Sequence, residues 1–189
     1  MHLHFVARAH PGQYPLRDSD AAWRMMRSLR RAWPHALAAC VMPNHVHLLV
    51  QADSPLDEQQ RLAKVMAGFS RRIGNASTWQ PLGEPRAVPD RLHLQRTVRY
   101  VHLNPCRWRI VGDPLCWPYS THRDLLGAVV DPWTTQDRMA RAIGLRGAHF
   151  PEWYHRYVST DPDAVREARI ELRAARPSAS FNSAAFGGE

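Results

Sequence analysis

Apolar positions recur along this chain with two periods, and the switches between them mark the elements. Residues 3–8 (Leu-His-Phe-Val-Ala-Arg) alternate as a short strand, closed by Pro11-Gly12. Ala22, Met26, Leu29 and Trp33 then recur at helical spacing, with Ser19 or Asp20 as the cap and Pro34 as the stop, which predicts a helix over 20–33. Residues 36–42 predict a second strand, Pro43-Asn44 a turn, and residues 45–51 a third strand antiparallel to the second. Ser54-Pro55-Leu56-Asp57 joins a cap, a first-turn proline and an acid, and opens a helix burying Leu62, Met66, Phe69 and Ile73. A short strand is expected near Pro85–Val88. Pro89-Asp90 opens a further helix to about residue 104, with Leu94, Val98 and Val101 inward and Pro105 as its end.

Strand, helix, strand, strand, helix, strand, helix is the order of a ferredoxin-like α+β sandwich around a central antiparallel sheet. Beyond residue 125 the pattern weakens. Residues 136–158 predict one or two short helices, with Trp153, Tyr154 and Tyr157 packing back. The expected organisation is a domain over 1–127, a C-terminal helical extension over 128–175 and a disordered tail over 176–189.

Charge narrows the partners. A net charge of +8 is carried by 25 basic against 17 acidic residues, and Lys64 is the only lysine. Arginine forks match phosphate geometry, and a balance of this sign favours a polyanion, nucleic acid first. The helix opened by Ser54 carries Arg61, Lys64, Arg71 and Arg72 on its polar side, either as a solvated face or as a phosphate-contacting one. The three cysteines, Cys40, Cys106 and Cys116, form no C-x-x-C pair, which suggests reduced thiols in a cytosolic protein. The first residues lack the regions of a signal peptide, and no apolar run reaches the length of a membrane span. A soluble cytoplasmic protein with no membrane partner is expected.

The chemistry starts at Asn44-His45-Val46-His47-Leu48-Leu49-Val50-Gln51. Side chains two apart in a strand share a face, so His45 and His47 point together while Val46, Leu48 and Val50 point into a core. Two imidazoles side by side are half of a divalent-metal site, although such a pair is also a common structural arrangement. The helix at 90–104 adds a polar face with His93, Arg96, Thr97, Tyr100 and Asn104, of which Tyr100 and Asn104 are one turn apart. An amide oxygen and two neutral imidazoles leave positions open for phosphate oxygens. Imidazole suits Mn²⁺ better than Mg²⁺. Beside such a metal a tyrosine can attack phosphorus; without one it reads as an interface residue.

Met42-Pro43-Asn44-His45-Val46-His47-Leu48-Leu49-Val50, then Tyr100-Val101-His102-Leu103-Asn104-Pro105-Cys106-Arg107, then Trp117-Pro118-Tyr119-Ser120, resemble the single-tyrosine HUH transposases. The relevant branches are the insertion-sequence 200-like enzymes and the REP-associated tyrosine transposases, and the similarity runs from about residue 3 to 127. The resemblance implies a ferredoxin-like nuclease acting on single-stranded DNA beside a small hairpin, as monomer or homodimer, in association with the nucleoid. It implies His45, His47 and Asn104 as ligands of Mg²⁺ or Mn²⁺ and Tyr100 as the nucleophile that takes the 5′ phosphate. Arg61, Lys64, Arg71 and Arg72 would line the DNA, with Arg8 and Arg107 as further phosphate contacts. The chain departs from the family pattern at Pro81-Leu82-Gly83-Glu84-Pro85-Arg86-Ala87-Val88-Pro89, which is short and proline-rich. Proline cannot donate to a sheet ladder, so the fourth strand is expected to be short, edge-bound or absent. Trp108-Arg109 also replaces small residues. A domesticated hairpin-binding protein is therefore the second reading. A small-molecule hydrolase, the third, leaves the basic helix and Tyr100 without a purpose.

Overall fold

A strand buried on both faces shows a continuous apolar run rather than alternation, and the centre of this molecule is built from two such strands. The computed structural model describes residues 1–74, 78–145 and 149–160. In it β2 (Ala38–Met42) is buried throughout and β3 (His45–Gln51) is buried as far as Val50. They join β1 (His2–Arg8) and β4 (Arg86–Val88) in one sheet of order β2-β3-β1-β4, every neighbouring pair antiparallel. This is the α+β, ferredoxin-like arrangement expected from the element order. β4 is three residues long, lies at the edge and is flanked by Pro85 and Pro89, as the missing proline donors require.

Register decides which side chains share a face. Val6 sits opposite His47 and Arg8 opposite His45, so His4, Val6 and Arg8 stand on the same side as the two histidines. Leu3, Phe5, Ala7, Val46, Leu48 and Val50 point to the other side, all nearly inaccessible. α1 (Ser19–Ala32) and α2 (Pro55–Arg72) pack on one another over that apolar side, and Trp33 Nε1 donates to Glu58 to join their ends. α3 (Arg91–Arg107) covers the histidine side.

Helix ends follow their caps, with corrections to the expected boundaries. α1 is capped by Asp18, whose carboxylate accepts from the Ala21 N–H, and not by Ser19 or Asp20. Ser19 is already helical, and its hydroxyl accepts from Tyr119. α2 starts as expected, with Ser54 accepting from the Asp57 N–H, but Ile73 lies at the C-terminal cap and is 38% exposed instead of buried. α3 runs two residues past Pro105. A proline costs the bond to the carbonyl four residues back, yet the Trp108 N–H still reaches Asn104 O at 3.1 Å, and Leu103, Asn104 and Pro105 are all buried. Packing outweighs the missing bond.

Past α3 come a single 3-10 turn (Pro114–Cys116), α4 (His122–Leu125), α5 (Gln136–Ile143) and α6 (Phe150–Thr160). The turn and α4 are too short to leave a periodic signal. α5 and α6 dock on α3: Gln95 Nε2 donates to Ile143 O at 2.8 Å, and the buried Arg99 donates to Val158 O. Tyr154 packs inward as expected, whereas Trp153 is 40% exposed and stacks on Tyr157. The segment Trp117–Thr121 runs along the outer edge of β2, with Val41 N–H bonding Tyr119 O and Thr121 N–H bonding Ala39 O. The tail expected over 176–189 lies outside the described residues.

Candidate functional site

The two-residue turn Pro43-Asn44 joins β2 to β3 and is held from both sides. Ala9 N–H bonds Asn44 O at 2.8 Å, and Leu16 N–H bonds Pro43 O at 3.0 Å. His45 and His47 follow it and stand edge-to-face with ring centroids 4.9 Å apart, both essentially inaccessible. Across them lies Asn104 of α3. Its Nδ2 donates to His47 Nε2 at 2.9 Å, and its Oδ1 lies 3.3 Å from His45 Nε2. Tyr100, one turn earlier, sets its ring edge-on to His47 at 5.3 Å between centroids. The structure thus brings together His45, His47, Asn104 and Tyr100, which in the sequence are separate motifs.

Burial fixes the protonation of this group. His45 is pushed down to about 3, first by desolvation and then by the nearby Arg8 charge. His47 lies well below the ordinary imidazole value for the same first reason, with His45, His4, Arg8 and Arg107 adding to it. Both rings are neutral at pH 7, the form that ligates metals. A neutral imidazole has one N–H. Both His45 nitrogens face amide oxygens, and the shorter contact, 2.7 Å to Asn44 Oδ1 against 3.3 Å to Asn104 Oδ1, assigns that proton to Nδ1. His45 Nε2 is then a bare lone pair facing the Asn104 carbonyl oxygen, two acceptors 3.3 Å apart with no proton between them. A cation resolves that contact, so the donor set fits a divalent metal held by two imidazoles and one amide oxygen. Among the described residues no group of three or more His, Cys, Asp and Glu is disposed to hold a metal ion; the third donor here is an amide, which lies outside that class.

Arg107, on the last turn of α3, holds its guanidinium 4.4 Å from the Tyr100 ring centroid. Arg8 stands opposite His45 at the end of β1. Val6 and Arg8 are only half-buried, so this side of the sheet opens to solvent at that end. Trp108 sits 5.9 Å from His45 and forms part of the wall. The remaining basic residues are elsewhere. Arg61, Lys64, Arg71 and Arg72 are exposed on α2, in the layer on the opposite side of the sheet, and Arg61 pairs with Glu58 at 3.4 Å. His93 is exposed and engages Asp90 at 2.7 Å, away from the histidine pair.

Sequence reading missed two members. By sequence Asn44 reads only as a turn residue. His4 is buried, with its Nε2 3.1 Å from His47 Nδ1 and its ring centroid 5.2 Å from that of His47 at an interplanar angle of 22°. Its signal is its place in a strand on the parity of Val6 and Arg8, which points to the histidines only once the register of β1 against β3 is known.

Comparison with known proteins bears on the sequence and the fold. No family model matches the chain. A protein of Haemophilus influenzae (strain ATCC 51907 / DSM 11121 / KW20 / Rd), whose given name of REP-associated tyrosine transposase is itself provisional, is 27% identical over 105 residues. The match covers 47% of this chain and 60% of that relative. The solved structure of a REP-associated tyrosine transposase bound to a REP hairpin shares the fold, with a TM-score of 0.57 over 69% of this chain and 82% of the other, at 21% identity. No described helix is long and apolar enough to cross a membrane. In sequence and in fold, the chain is similar to the REP-associated tyrosine transposases, as its motifs implied.

Proposed function

We propose that this protein is a metal-dependent endonuclease and strand transferase of single-stranded DNA, acting beside hairpins through a 5′-phosphotyrosine intermediate. The observation that carries the reading is the meeting of Tyr100 with His47 on the helical face where Asn104 spans both imidazole Nε2 atoms. His45 Nε2, His47 Nε2 and Asn104 Oδ1 would hold Mg²⁺ or Mn²⁺. When bound, such an ion supplies Lewis-acid polarisation of a phosphodiester.

The chain's own residues do the rest. The Tyr100 hydroxyl attacks phosphorus, an Oη–P bond forms and the P–O3′ bond breaks. The proton lost by the phenol balances the one gained by the departing 3′ hydroxyl. Reversal, with a 3′ hydroxyl attacking the phosphotyrosine, rejoins strands without ATP. Neutral imidazoles keep their lone pairs at pH 7, and the Arg107 charge against the Tyr100 ring favours an anionic strand at that point. In this reading Arg8 and Arg107 contact phosphate beside the site. Arg61, Lys64, Arg71 and Arg72 serve only DNA that reaches the opposite layer.

The test is incubation with Mn²⁺ and a labelled single-stranded hairpin, followed by denaturing electrophoresis. The expected result is a protein–DNA adduct with the native chain and none with Tyr100→Phe, while hairpin binding persists. An undiminished adduct from Tyr100→Phe removes the nucleophile, and cleavage indifferent to chelator removes the metal role. The second reading, a domesticated binder that cuts weakly or not at all, is favoured by the short, proline-flanked β4. It predicts hairpin binding with no adduct from the native chain.

A further inference from the structure

Both candidate ligands are anchored through the nitrogen that does not face Asn104. His45 Nδ1 is held by Asn44 Oδ1 at 2.7 Å, and His47 Nδ1 meets His4 Nε2 at 3.1 Å. A ligating histidine needs such a partner, because a bond at one ring nitrogen fixes the tautomer and rotation that present the other. The usual partner is a carboxylate, a backbone carbonyl or water. Here it is a third imidazole, brought in from β1.

We propose that His4 is a positioning residue that fixes the tautomer and orientation of His47, so that the His47 Nε2 lone pair faces the metal position. The proposal rests on the reading of His45 and His47 as metal ligands. His4 stands diagonally across from His47, because its own register partner on β3 is Leu49 and that of His47 is Val6. Diagonal neighbours lie within reach of ring side chains. The two rings meet edge to edge at only 22°, so the contact lies near both ring planes and limits rotation of His47. The His4 ring also meets Tyr100 edge-on at 5.9 Å, so one side chain braces both the ligand and the nucleophile. With Asn104 Nδ2 donating to His47 Nε2, the single His47 proton must sit on Nδ1 and point at His4. His4 Nε2 is then the acceptor, and His4 carries its own proton on Nδ1.

The experiment measures Mn²⁺ binding by electron paramagnetic resonance on the full chain without DNA, for the native protein, His4→Phe and His4→Gln. Phenylalanine keeps the ring and removes the acceptor; glutamine restores an acceptor. The expected result is a loss of about 10–100-fold in Mn²⁺ affinity for His4→Phe, with partial recovery for His4→Gln. Native affinity in His4→Phe overturns the proposal, as does equal weakening in both variants. A long-range ¹H–¹⁵N spectrum of the native chain stands apart from any folding defect in the variants. His47 as the Nδ1–H tautomer is expected, and His47 as the Nε2–H tautomer overturns the proposal. The outcomes separate from those for strand transfer. Mn²⁺ binding that depends on His4, with no DNA adduct, upholds the positioning role and rejects the nuclease. An adduct whose metal affinity ignores His4 does the reverse.

Discussion

α3 carries a buried histidine cluster on each flank, and the two are built differently. On one flank His45, His47 and His4 gather around Asn104 and Tyr100. On the other, His102 of α3 meets His122 and Tyr154, with ring centroids at 5.4 and 5.9 Å. Desolvation lowers the imidazoles of both groups first and foremost. The difference lies in the partners. His102 Nδ1 meets the Tyr154 hydroxyl at 2.6 Å and His102 Nε2 the Thr121 hydroxyl at 2.9 Å. A hydroxyl rotates to donate or accept as required, so both His102 nitrogens are satisfied. Among the described residues, the one buried ring nitrogen of this group without a partner is His122 Nδ1, and no second unmatched buried atom of the group converges with it. His122 continues the group through His155 at 3.2 Å, which reaches Asp113 at 3.6 Å. That network ties α3 to α6 and to the segment on the β2 edge. In the first cluster the fixed amide of Asn104 cannot adapt, and two acceptors are left facing. Buried histidines alone do not mark a site; unmatched lone pairs that converge do.

The sharpest way to break this contrast is to remove the far cluster. Tyr154→Ala empties a fully buried aromatic position and is expected to cost about 3–5 kcal/mol of stability in urea melts, with Mn²⁺ affinity unchanged while the chain is folded. Acid tests both clusters together. An unfolded histidine takes its proton near 6.5, whereas folded His45 and His122 take theirs only near 3. Between those values the unfolded chain holds more protons, so stability falls as pH falls, by up to about 1.4 kcal/mol per pH unit for each such group. Melts at pH 7 and pH 5 measure this, and equal stability at the two would contradict the neutral clusters.

Smaller effects separate the flanks. His102→Leu strands the buried Tyr154 hydroxyl, whereas the Thr121 hydroxyl keeps its bonds with Ala39, and is expected to cost about 1–3 kcal/mol. Asn104→Leu keeps the branched shape but removes the Nδ2 donor to His47 Nε2 together with the opposed acceptor, and is expected to cost about 1–3 kcal/mol, while Mn²⁺ binding is lost. The least effect belongs to α2. Arg61→Gln with Lys64→Gln is expected to leave the salt dependence of hairpin binding almost unchanged, whereas Arg8→Gln or Arg107→Gln lowers the slope of log affinity against log salt by about 1 each. A drop of that size from the α2 pair would place DNA on the opposite layer.

Much of the site was legible because its signals are local. Period two set His45 and His47 on one face, and a four-residue step set Tyr100 beside Asn104. The prolines around Arg86–Val88 announced a short edge strand. What was not legible depended on partners far along the chain. Pro105 looked like a helix stop until the burial of Leu103 and Asn104 outweighed its missing bond. Trp153 looked inward until α6 docked through Tyr154. The layer in which the basic stripe of α2 lies was not legible either, because period tells which residues share a face but not which layer that face looks out from.

By itself the sequence determined the element order, the imidazole pair, the spacing of Tyr100 from Asn104 and the surplus of arginine. All of these follow from repeats of two or four residues, or from composition. The tertiary structure decided that His4 meets His47 across 43 positions of chain, that Asn104 reaches both rings, and that α1 and α2 cover one side of the sheet while α3 covers the other. Those outcomes rest on strand register and on burying both faces of one sheet, and neither is written in any local period.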